Sequence, residues 1–306
     1  MSNPEVRSEA NVVKPSDFDT VDLPANPQPP LDIRAFGLTD RGQVRSSNED
    51  QFLVASLVKS LQIKQTSLPQ PATRRSSDCC YLFVVADGMG GHAAGEEASA
   101  LAIESVEQYV LDALKWFACC RPSDEDRVLA DFQKALGIAH QRVRSEASER
   151  PELRGMGTTL TLAYSLNDEL YVAHVGDSRC YLLRGGHLYR LTQDHSLVEE
   201  MIRRGLLSSE EAASHRWRHV ITSTVGGDSA NVRVDVHKLH LEAGDVLLLC
   251  SDGLTEMVSE EEIAKVLFEV ENPEVACYQL VAQANEAGGR DNITVVVARY
   301  LAKENQ

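Results

Sequence analysis

Three aspartates stand at the ends of short, continuously apolar segments of the chain. Asp87 directly follows Tyr81–Ala86. Asp252 lies just beyond Val246–Cys250, and Asp291 just before a third such run. These runs are typical of buried strands, and in an antiparallel sheet the end of one strand and the start of its neighbour share an edge. We therefore expect the three carboxylates to converge, as a cluster that requires a cation to offset its repulsion. Oxygen ligands without Cys or His favour Mg²⁺ or Mn²⁺ over zinc.

A glycine-rich turn surrounds the first of these aspartates, in the sequence Asp87-Gly88-Met89-Gly90-Gly91-His92. Glycines allow the backbone to approach a ligand closely, so that a carbonyl can join a metal shell. A plain strand-to-helix turn is the alternative. Residues 88–93 also match the dinucleotide-binding fingerprint, but the following helix extends past the place where that motif needs a second strand and a ribose-binding acid. We therefore set the dinucleotide interpretation aside.

Two further segments carry candidate functional side chains. Arg45 precedes Glu49 and Asp50, and its planar guanidinium suits a phosphate dianion, although a surface salt bridge would explain the same pattern. Either carboxylate would hold a metal-bound water. Asp177, in Gly176–Arg179, offers another carboxylate, although this segment would also serve as a simple hairpin turn between two strands.

The hydrophobic pattern predicts strands and amphipathic helices in blocks. Four of the strands, with Asn167-Asp168 and Gly185-Gly186 as turns, look like one antiparallel meander. Strand blocks combined with helix pairs imply a layered sandwich of α and β structure. The expected strands are 81–86, 160–166, 170–175, 180–183, 187–191, 246–250 and 293–298, and the expected helices lie around 103–117, 129–143, 197–203, 259–268 and 273–286.

Composition limits the classes of partner. The net charge of -16 disfavours nucleic acid and anionic membranes, because both would repel the chain. The seven cysteines include no Cys-x-x-Cys pair, which disfavours a zinc site and a disulfide framework. No apolar run is long enough for a signal peptide or a membrane span. We therefore expect a cytoplasmic protein.

The chain divides into a tail and one domain. Residues 1–32 contain six of the eleven prolines and no hydrophobic periodicity, which predicts a disordered tail. Residues 33–303 are expected to form a single catalytic domain. Within it, the polar and proline-containing stretch 56–78 is expected to be a surface loop insertion.

Taken together, the motifs resemble the metal-dependent, type-2C protein phosphatases, in particular their bacterial branch. The resemblance extends from about residue 36 to residue 300, and no single motif carries it. It implies an α+β fold, a four-layer α-β-β-α sandwich in which helix pairs flank two antiparallel sheets and the metal site lies at one end. The matching segments are 45–50, 86–92, 155–159, 175–179, 250–254 and 289–294.

The resemblance also implies which residues bind metal. Asp87 would bridge two Mn²⁺ or Mg²⁺ ions, and the carbonyl of Gly88 would join it on one of them. Asp252 and Asp291 would complete the shell of the other. Asp177 would bind a third, weaker ion and share it with Asp252.

For the chemistry, the resemblance implies hydrolysis by a metal-activated water, without a covalent intermediate. Asp50 and Glu49 would act through water, and Arg45 would receive the substrate phosphate. None of the seven cysteines is followed six positions later by the arginine of a cysteine-dependent phosphatase. Many eukaryotic members carry a histidine where this chain has Met89, so no general acid is assigned; His92 is a candidate only by its position.

Residues 194–227, hereafter the flap, match a variable segment beside the family's active site. Its cationic side chains would guide a phosphoprotein, or would simply form a solvated helix face. They are Arg203, Arg204, His215, Arg216 and Arg218.

The expected function is therefore removal of phosphate from phosphoserine or phosphothreonine in proteins, opposing bacterial serine/threonine kinases, by a monomeric enzyme. A catalytically weak phosphoprotein-binding regulator of the same fold is the main alternative. A third alternative, which the sequence argues against, is a hydrolase of small phosphate esters, or an oxidoreductase if the glycine loop were misinterpreted.

Overall fold

Two antiparallel β-sheets form the centre of the protein, seen in a computed structural model that describes residues 31–62, 73–90, 93–113, 125–208, 211–212 and 215–303. The described strands are β1 (Leu31–Asp40), β2 (Asp50–Gln62), β3 (Thr73–Met89), β4 (Gly157–Thr158), β5 (Leu160–Leu166), β6 (Glu169–Val175), β7 (Arg179–Arg184), β8 (His187–Arg190), β9 (Val225–Gly226), β10 (Asp235–His240), β11 (Val246–Cys250) and β12 (Ile293–Ala302). Sheet A has the order β1-β12-β11-β7-β8. Sheet B has the order β10-β6-β5-β3-β4-β9, with β2 also paired to β3.

Helices cover the outer face of each sheet. α1 (Ala93–Ala113) and α2 (Glu125–Glu149) pack on sheet B. α5 (Glu260–Glu269) and α6 (Pro273–Glu286) pack on sheet A. The shorter α3 (Leu197–Arg203) and α4 (Asp252–Thr255) lie at the connections.

Strand β11 shows why the centre of each sheet is continuously apolar. Leu247 and Leu249 point into the apolar layer between the two sheets, whereas Val246, Leu248 and Cys250 point towards the helices that cover sheet A. A strand buried on both faces shows no polar alternation. The three apolar layers confirm the predicted four-layer α+β sandwich.

The helix predictions are confirmed where the structure describes them. α5 begins with the expected capping box, in which Ser259 Oγ accepts from the Glu262 N–H and the Ser259 N–H donates to Glu262 Oε2 over 3.0 Å. The helix expected around 103–117 corresponds to α1 as far as Ala113, and residues 114–124 lie outside the described part.

The expectation of one four-stranded meander is wrong. β5 and β6 form a hairpin in sheet B, whereas β7 and β8 form a hairpin in sheet A. The segment between β6 and β7, which includes Asp177, is therefore a crossover between sheets and not a hairpin turn. Gly176 makes this possible with a φ of +111°, and a Cβ there would lie 2.6 Å from Thr159 Cβ.

The expected loop at 56–78 is also wrong over its described part. β2 continues to Gln62 and β3 begins at Thr73, and the two strands pair through a register shift between Val58 and Ser60. Polar residues do not prevent this extension, because each strand supplies the backbone partners of the other. Residues 63–72 lie outside the described part of the chain.

The boundary of the predicted tail shifts by two residues. β1 begins at Leu31, within the stretch assigned to the tail, because Leu31 to Asp40 pair with β12. The tail itself, residues 1–30, lies outside the described residues. In the described part of the chain, no helix is both long enough and apolar enough to cross a membrane.

Candidate metal centre and active site

The structure brings the sequence-predicted carboxylates together at one end of the sandwich. Asp50, the first residue of β2, is paired directly with Asp87 in β3. Asp252 opens α4 after β11, and Asp291 immediately precedes the loop into β12. The two sheets therefore each contribute two carboxylates to one edge.

Asp50 is the most enclosed member of this cluster, with only 1% of its surface exposed. Its Oδ2 accepts hydrogen bonds from Ser251 Oγ at 2.8 Å and from Thr294 Oγ1 at 2.7 Å. Its Oδ1 has no hydrogen-bond partner among the described residues. Burial raises the pKa of Asp50 to about 6, although the two hydroxyl groups oppose this rise.

Asp87 and Asp252 are held in the same acidic environment. Burial, followed by the charges of Asp50 and Asp252, raises the pKa of Asp87 well above its usual range. Burial and the charge of Asp177 do the same for Asp252, whose Oδ1 is buried and lacks a partner within the described structure. Such a cluster is costly unless positive charge offsets it.

The backbone beside Asp87 is fixed tightly. The Asp87 N–H donates to Thr159 Oγ1, and its carbonyl accepts from the Thr159 N–H, each over 2.9 Å. A Cβ at the neighbouring Gly88 would lie 2.1 Å from the Gly95 carbonyl oxygen, and one at Gly95 would lie 2.1 Å from Glu49 Oε2. The two glycines thus let the start of α1 and the Glu49 carboxylate pack against the strand end.

These residues fit a hard divalent cation. The cluster offers carboxylate oxygens, of which Asp50 Oδ1 and Asp252 Oδ1 are buried without a described partner, and burial raises the pKa of several of these carboxyl groups. Oxygen-only donor sets of this kind suit Mg²⁺ and Mn²⁺.

Asp177 lies beside this cluster, at the crossover between the sheets. Burial and the charge of Asp194 raise its pKa to about 7. Glu256, at the end of α4, acts on the pKa of both Asp177 and Asp252. His219 Nδ1 lies 2.9 Å from Glu256 Oε1, and ligand atoms of His219, Asp252 and Glu256 lie within 4.8 Å of one another.

Sequence reasoning missed two of these groups. Glu256 follows Asp252 by four positions, a spacing that places side chains on one face of a helical turn and was available as a signal. His219 lies in the flap, and its approach to α4 has no signal in the local sequence.

Arg45 reaches the rim of the cluster from the loop between β1 and β2. Its Nη2 donates to Asp291 Oδ2 over 2.6 Å, while 55% of its side chain is exposed. The sequence left Arg45 as either a surface salt bridge or a phosphate-binding residue. The structure shows an ion pair, and its partner, Asp291, is one of the expected metal ligands. The hydrogen bond to Asp291 raises the pKa of Arg45, so the guanidinium stays charged.

The flap is closed at its base by backbone hydrogen bonds. The Thr222 N–H donates to the His195 carbonyl over 2.7 Å, and the Leu197 N–H donates to the Val220 carbonyl over 2.8 Å. The Arg216 guanidinium lies over the Trp217 ring, 4.3 Å from its centroid. Of the five expected cationic residues, four are exposed and His215 is half-buried.

The comparison with known proteins decides the family. A family model described as Protein phosphatase 2C matches residues 63–283. The chain belongs to the protein phosphatase 2C family. It is 35% identical over 269 residues to the serine/threonine phosphatase stp of Listeria innocua, an alignment that covers 88% of this chain and 96% of that protein.

Solved structures of PP2C phosphatases agree with this assignment. The fold is similar to the crystal structure of the Mycobacterium tuberculosis serine/threonine phosphatase PstP/Ppp, with a TM-score of 0.71, 33% identity, and coverage of 89% of this chain and 99% of that one. A PstP catalytic domain in complex with two manganese ions has a TM-score of 0.67, 32% identity, and coverage of 89% and 99%. The family, the fold and the enzyme class indicated by the motifs are thereby confirmed.

In this PP2C chain, two buried histidines support the Asp177 crossover. His195 Nδ1 accepts from the Gly176 N–H over 3.2 Å, and its Nε2 lies 3.1 Å from Asp235 Oδ2. His174 Nδ1 lies 2.9 Å from Thr161 Oγ1, and the two imidazole centroids are 4.9 Å apart. Sequence reasoning did not identify either histidine.

Proposed function

We propose that this chain is a protein phosphatase that hydrolyses phosphoserine and phosphothreonine in proteins, with Mn²⁺ or Mg²⁺ as its cofactor. The observation that carries the proposal is the cluster of buried aspartates with unpartnered oxygens, beside a charged and exposed Arg45. Membership of the PP2C family and the named serine/threonine phosphatases among its relatives support it.

In this proposal the carboxylates hold two or three cations. Asp87, at the end of β3 in sheet B, would hold metal together with the Gly88 carbonyl. Asp252 and Asp291 would also hold metal, and Asp50 would contribute through its Oδ1, which has no partner among the described residues.

A third ion would lie between Asp177 and Asp252. Glu256 and the flap residue His219 are close enough to contribute to its shell. When bound, the cations supply activation of a water molecule and neutralisation of charge on the phosphoryl oxygens.

The protein's own side chains then orient the substrate. Arg45, at the rim, binds the phosphate dianion with its planar guanidinium. The Glu49 carboxylate, packed against Gly95, acts on a water molecule in the cluster. Met89 ends β3 and has no proton to donate, so no side chain is assigned as general acid; His92 lies outside the described residues.

A cysteine nucleophile is not part of this mechanism. Cys250 is two residues from Asp252, but burial raises the pKa of its thiol to about 12. A thiol with that pKa does not supply a thiolate near neutral pH. This observation supports hydrolysis without a covalent cysteine intermediate.

The proposed substrates are phosphorylated proteins, including bacterial serine/threonine kinases or the targets of those kinases. The flap reaches the site through His219, which contacts Glu256, and it also carries exposed arginines whose positive charge suits a phosphoprotein better than an uncharged ligand. We place this activity in one monomeric catalytic domain in the cytoplasm, with its first strand beginning at Leu31 and its last described residue at 303.

The test is phosphate release from a phosphothreonine peptide by the purified protein, with Mn²⁺, with Mg²⁺ and with a chelator. We expect turnover that requires metal and is lost in Asp252→Ala. Asp168→Ala, in the turn between β5 and β6, is the matched control and should keep wild-type activity. A folded wild-type protein that releases no phosphate with either metal would contradict the proposal and would favour a phosphoprotein-binding regulator.

A further inference from the structure

The side chain of Asn292 makes an unusual set of contacts beside the active site. It is only 6% exposed. Its Nδ2 donates to the carbonyl of Arg41 over 3.0 Å and to the carbonyl of Ser47 over 2.9 Å, while its Oδ1 accepts from the Glu49 N–H over 2.9 Å. A single amide thus binds the backbone at three points of residues 41–49, the loop that carries Arg45.

The tip of this loop has little packing of its own. Val44 is 69% exposed, and the Arg45 side chain is 55% exposed. On the opposite side, the N–H groups of Gln43 and Val44 donate to the Gly289 carbonyl over 2.7 and 3.3 Å. Since apolar burial does not hold the tip, the position of the loop depends on hydrogen bonds at its base.

Asn292 also adjoins the metal ligand that Arg45 contacts. Its backbone N–H donates to Asp291 Oδ1 over 2.8 Å, while Arg45 donates to Asp291 Oδ2 over 2.6 Å. The loop, the arginine and the metal ligand are therefore connected through two consecutive residues of the chain. A shift of the Asn292 amide would move Arg45 relative to the carboxylate cluster.

We propose that Asn292 is a positioning residue, which holds the 41–49 loop so that Arg45 meets the phosphate of the substrate. This inference rests on the proposed function, because it assigns the phosphate to Arg45. Asn is suited to the position because its amide supplies two N–H donors for two carbonyls and one acceptor for an N–H. A carboxylate of the same shape would face the two carbonyls without a proton to donate.

The experiment compares Asn292→Ala with the wild type and with Asn272→Ala. Asn272 caps α6 by accepting from the Glu274 N–H over 2.8 Å, so its replacement also removes a side chain–backbone hydrogen bond. It lies at the opposite end of α6 from Asn285, whose Oδ1 accepts from Gln43 Nε2 of the loop over 3.1 Å. For Asn292→Ala we expect the KM for a phosphothreonine peptide to rise about tenfold, because a misplaced binding group loses substrate affinity. The Kd for Mn²⁺, measured by calorimetry, should stay within about twofold of the wild-type value.

Hydrogen exchange provides a readout that does not need activity. The Glu49 amide should exchange about tenfold faster in Asn292→Ala, because its acceptor is gone. Asn272→Ala should leave both KM and this exchange rate unchanged. If Asn292→Ala does not fold, Asn292→Ser takes its place, because a serine hydroxyl can keep at most part of the three hydrogen bonds. We expect the same changes in KM and in Glu49 exchange for that variant, and the same unchanged Kd for Mn²⁺.

A double-variant cycle tests whether Asn292 acts through Arg45. In an Arg45→Ala background, Asn292→Ala should raise KM no further. The same tenfold rise in that background, or a raised Kd for Mn²⁺ with unchanged KM, would overturn the proposal. If the wild type releases no phosphate, the proposed function fails, and unchanged exchange at Glu49 would then separately refute the role of Asn292 in holding the loop.

Discussion

Gly253 offers a direct test of how the fold sets the distances in the metal centre. It follows Asp252, and a Cβ added to it would lie 2.0 Å from the Asn292 carbonyl oxygen and 3.5 Å from Asp291 Cβ. Its φ lies outside the left-handed region, so alanine is compatible with its backbone conformation. The consequence of Gly253→Ala is therefore steric, and it falls between the two segments that carry the proposed metal ligands Asp252 and Asp291.

The expected displacement follows from the contact distances. An ordinary Cβ contact is 3.4 Å or longer, so the 2.0 Å approach requires the two backbones to separate by about 1.4 Å. Metal–ligand distances tolerate only about 0.2 Å of variation. We therefore expect Gly253→Ala to weaken Mn²⁺ binding by about ten- to hundredfold, and to lower kcat/KM for a phosphothreonine peptide by at least about tenfold.

The assay is a calorimetric Mn²⁺ titration, paired with phosphate release across a range of metal concentrations. Gly137→Ala is the matched control, since it adds the same methyl group inside α2 where nothing lies within 4 Å. This control should keep wild-type Mn²⁺ affinity and gain about 0.5–1 kcal/mol of stability from helix propensity. If Gly253→Ala folds and binds Mn²⁺ as tightly as the wild type, the contact between α4 and the start of β12 does not set the ligand spacing.

Two further predictions concern stability. Burial, reinforced by the charge of His195, lowers the pKa of His174 to about 3. In the unfolded chain this histidine has an ordinary pKa of about 6.5, so it binds its proton at a higher pH than in the folded protein. Between pH 6.5 and about pH 3, the free energy of unfolding of the wild type should therefore fall by about 1.4 kcal/mol per pH unit relative to that of His174→Asn. Urea unfolding of both proteins in chelator at pH 7 and pH 5 measures this difference, and equal pH slopes would contradict the prediction. Arg184→Ala should lower the free energy of unfolding by about 3 kcal/mol in the same assay at pH 7. The guanidinium of Arg184 donates to both carboxylate oxygens of Asp245, whose side chain is only 2% exposed, and the variant leaves this buried carboxylate without it. Adding Asp245→Leu should recover most of that loss, and an unchanged midpoint in Arg184→Ala would refute the reasoning.

Much of the candidate site was predictable because its residues stand at strand ends. The apolar runs before Asp87 and Asp252 and after Asp291 determine where three buried strands begin or end. Antiparallel pairing of β11 with β12 brings Asp252 and Asp291 to one edge of sheet A, whereas Asp87 belongs to sheet B and meets them through the stacking of the two sheets. The role of Asp177 in binding a third ion came only from the family resemblance, whereas the local pattern around Arg45 left a phosphate-binding role and a surface salt bridge both open.

Two of the longer strands that were not predicted share a physical feature. β1 and β10 are mixed in polarity and lie at the edges of their sheets, with mostly half-buried residues. The outer part of β2 was assigned to a loop for the same reason. Strands are predicted from the alternation of apolar and polar residues and from apolar content, and both signals are weak in a strand that has only one covered face or one neighbouring strand.

By itself, the sequence determined the identity of the buried strands, the main helices, the capping of α5 at Ser259, and the acidic chemistry of the site. These properties depend on residues that are close along the chain, through side-chain periodicity, backbone capping and the charge of each aspartate. The family motifs, read in order, were sufficient to indicate the phosphatase class.

Only the tertiary structure decided which strands pair and which distant side chains meet. The hairpins β5–β6 and β7–β8 look equivalent in sequence, yet they lie in different sheets, because alternation specifies a face and not a partner. The contact of His219 with Glu256, and the three hydrogen bonds from Asn292 to the Arg45 loop, likewise join residues far apart in the chain. Such contacts depend on the relative placement of whole layers, which packing of the complete core determines.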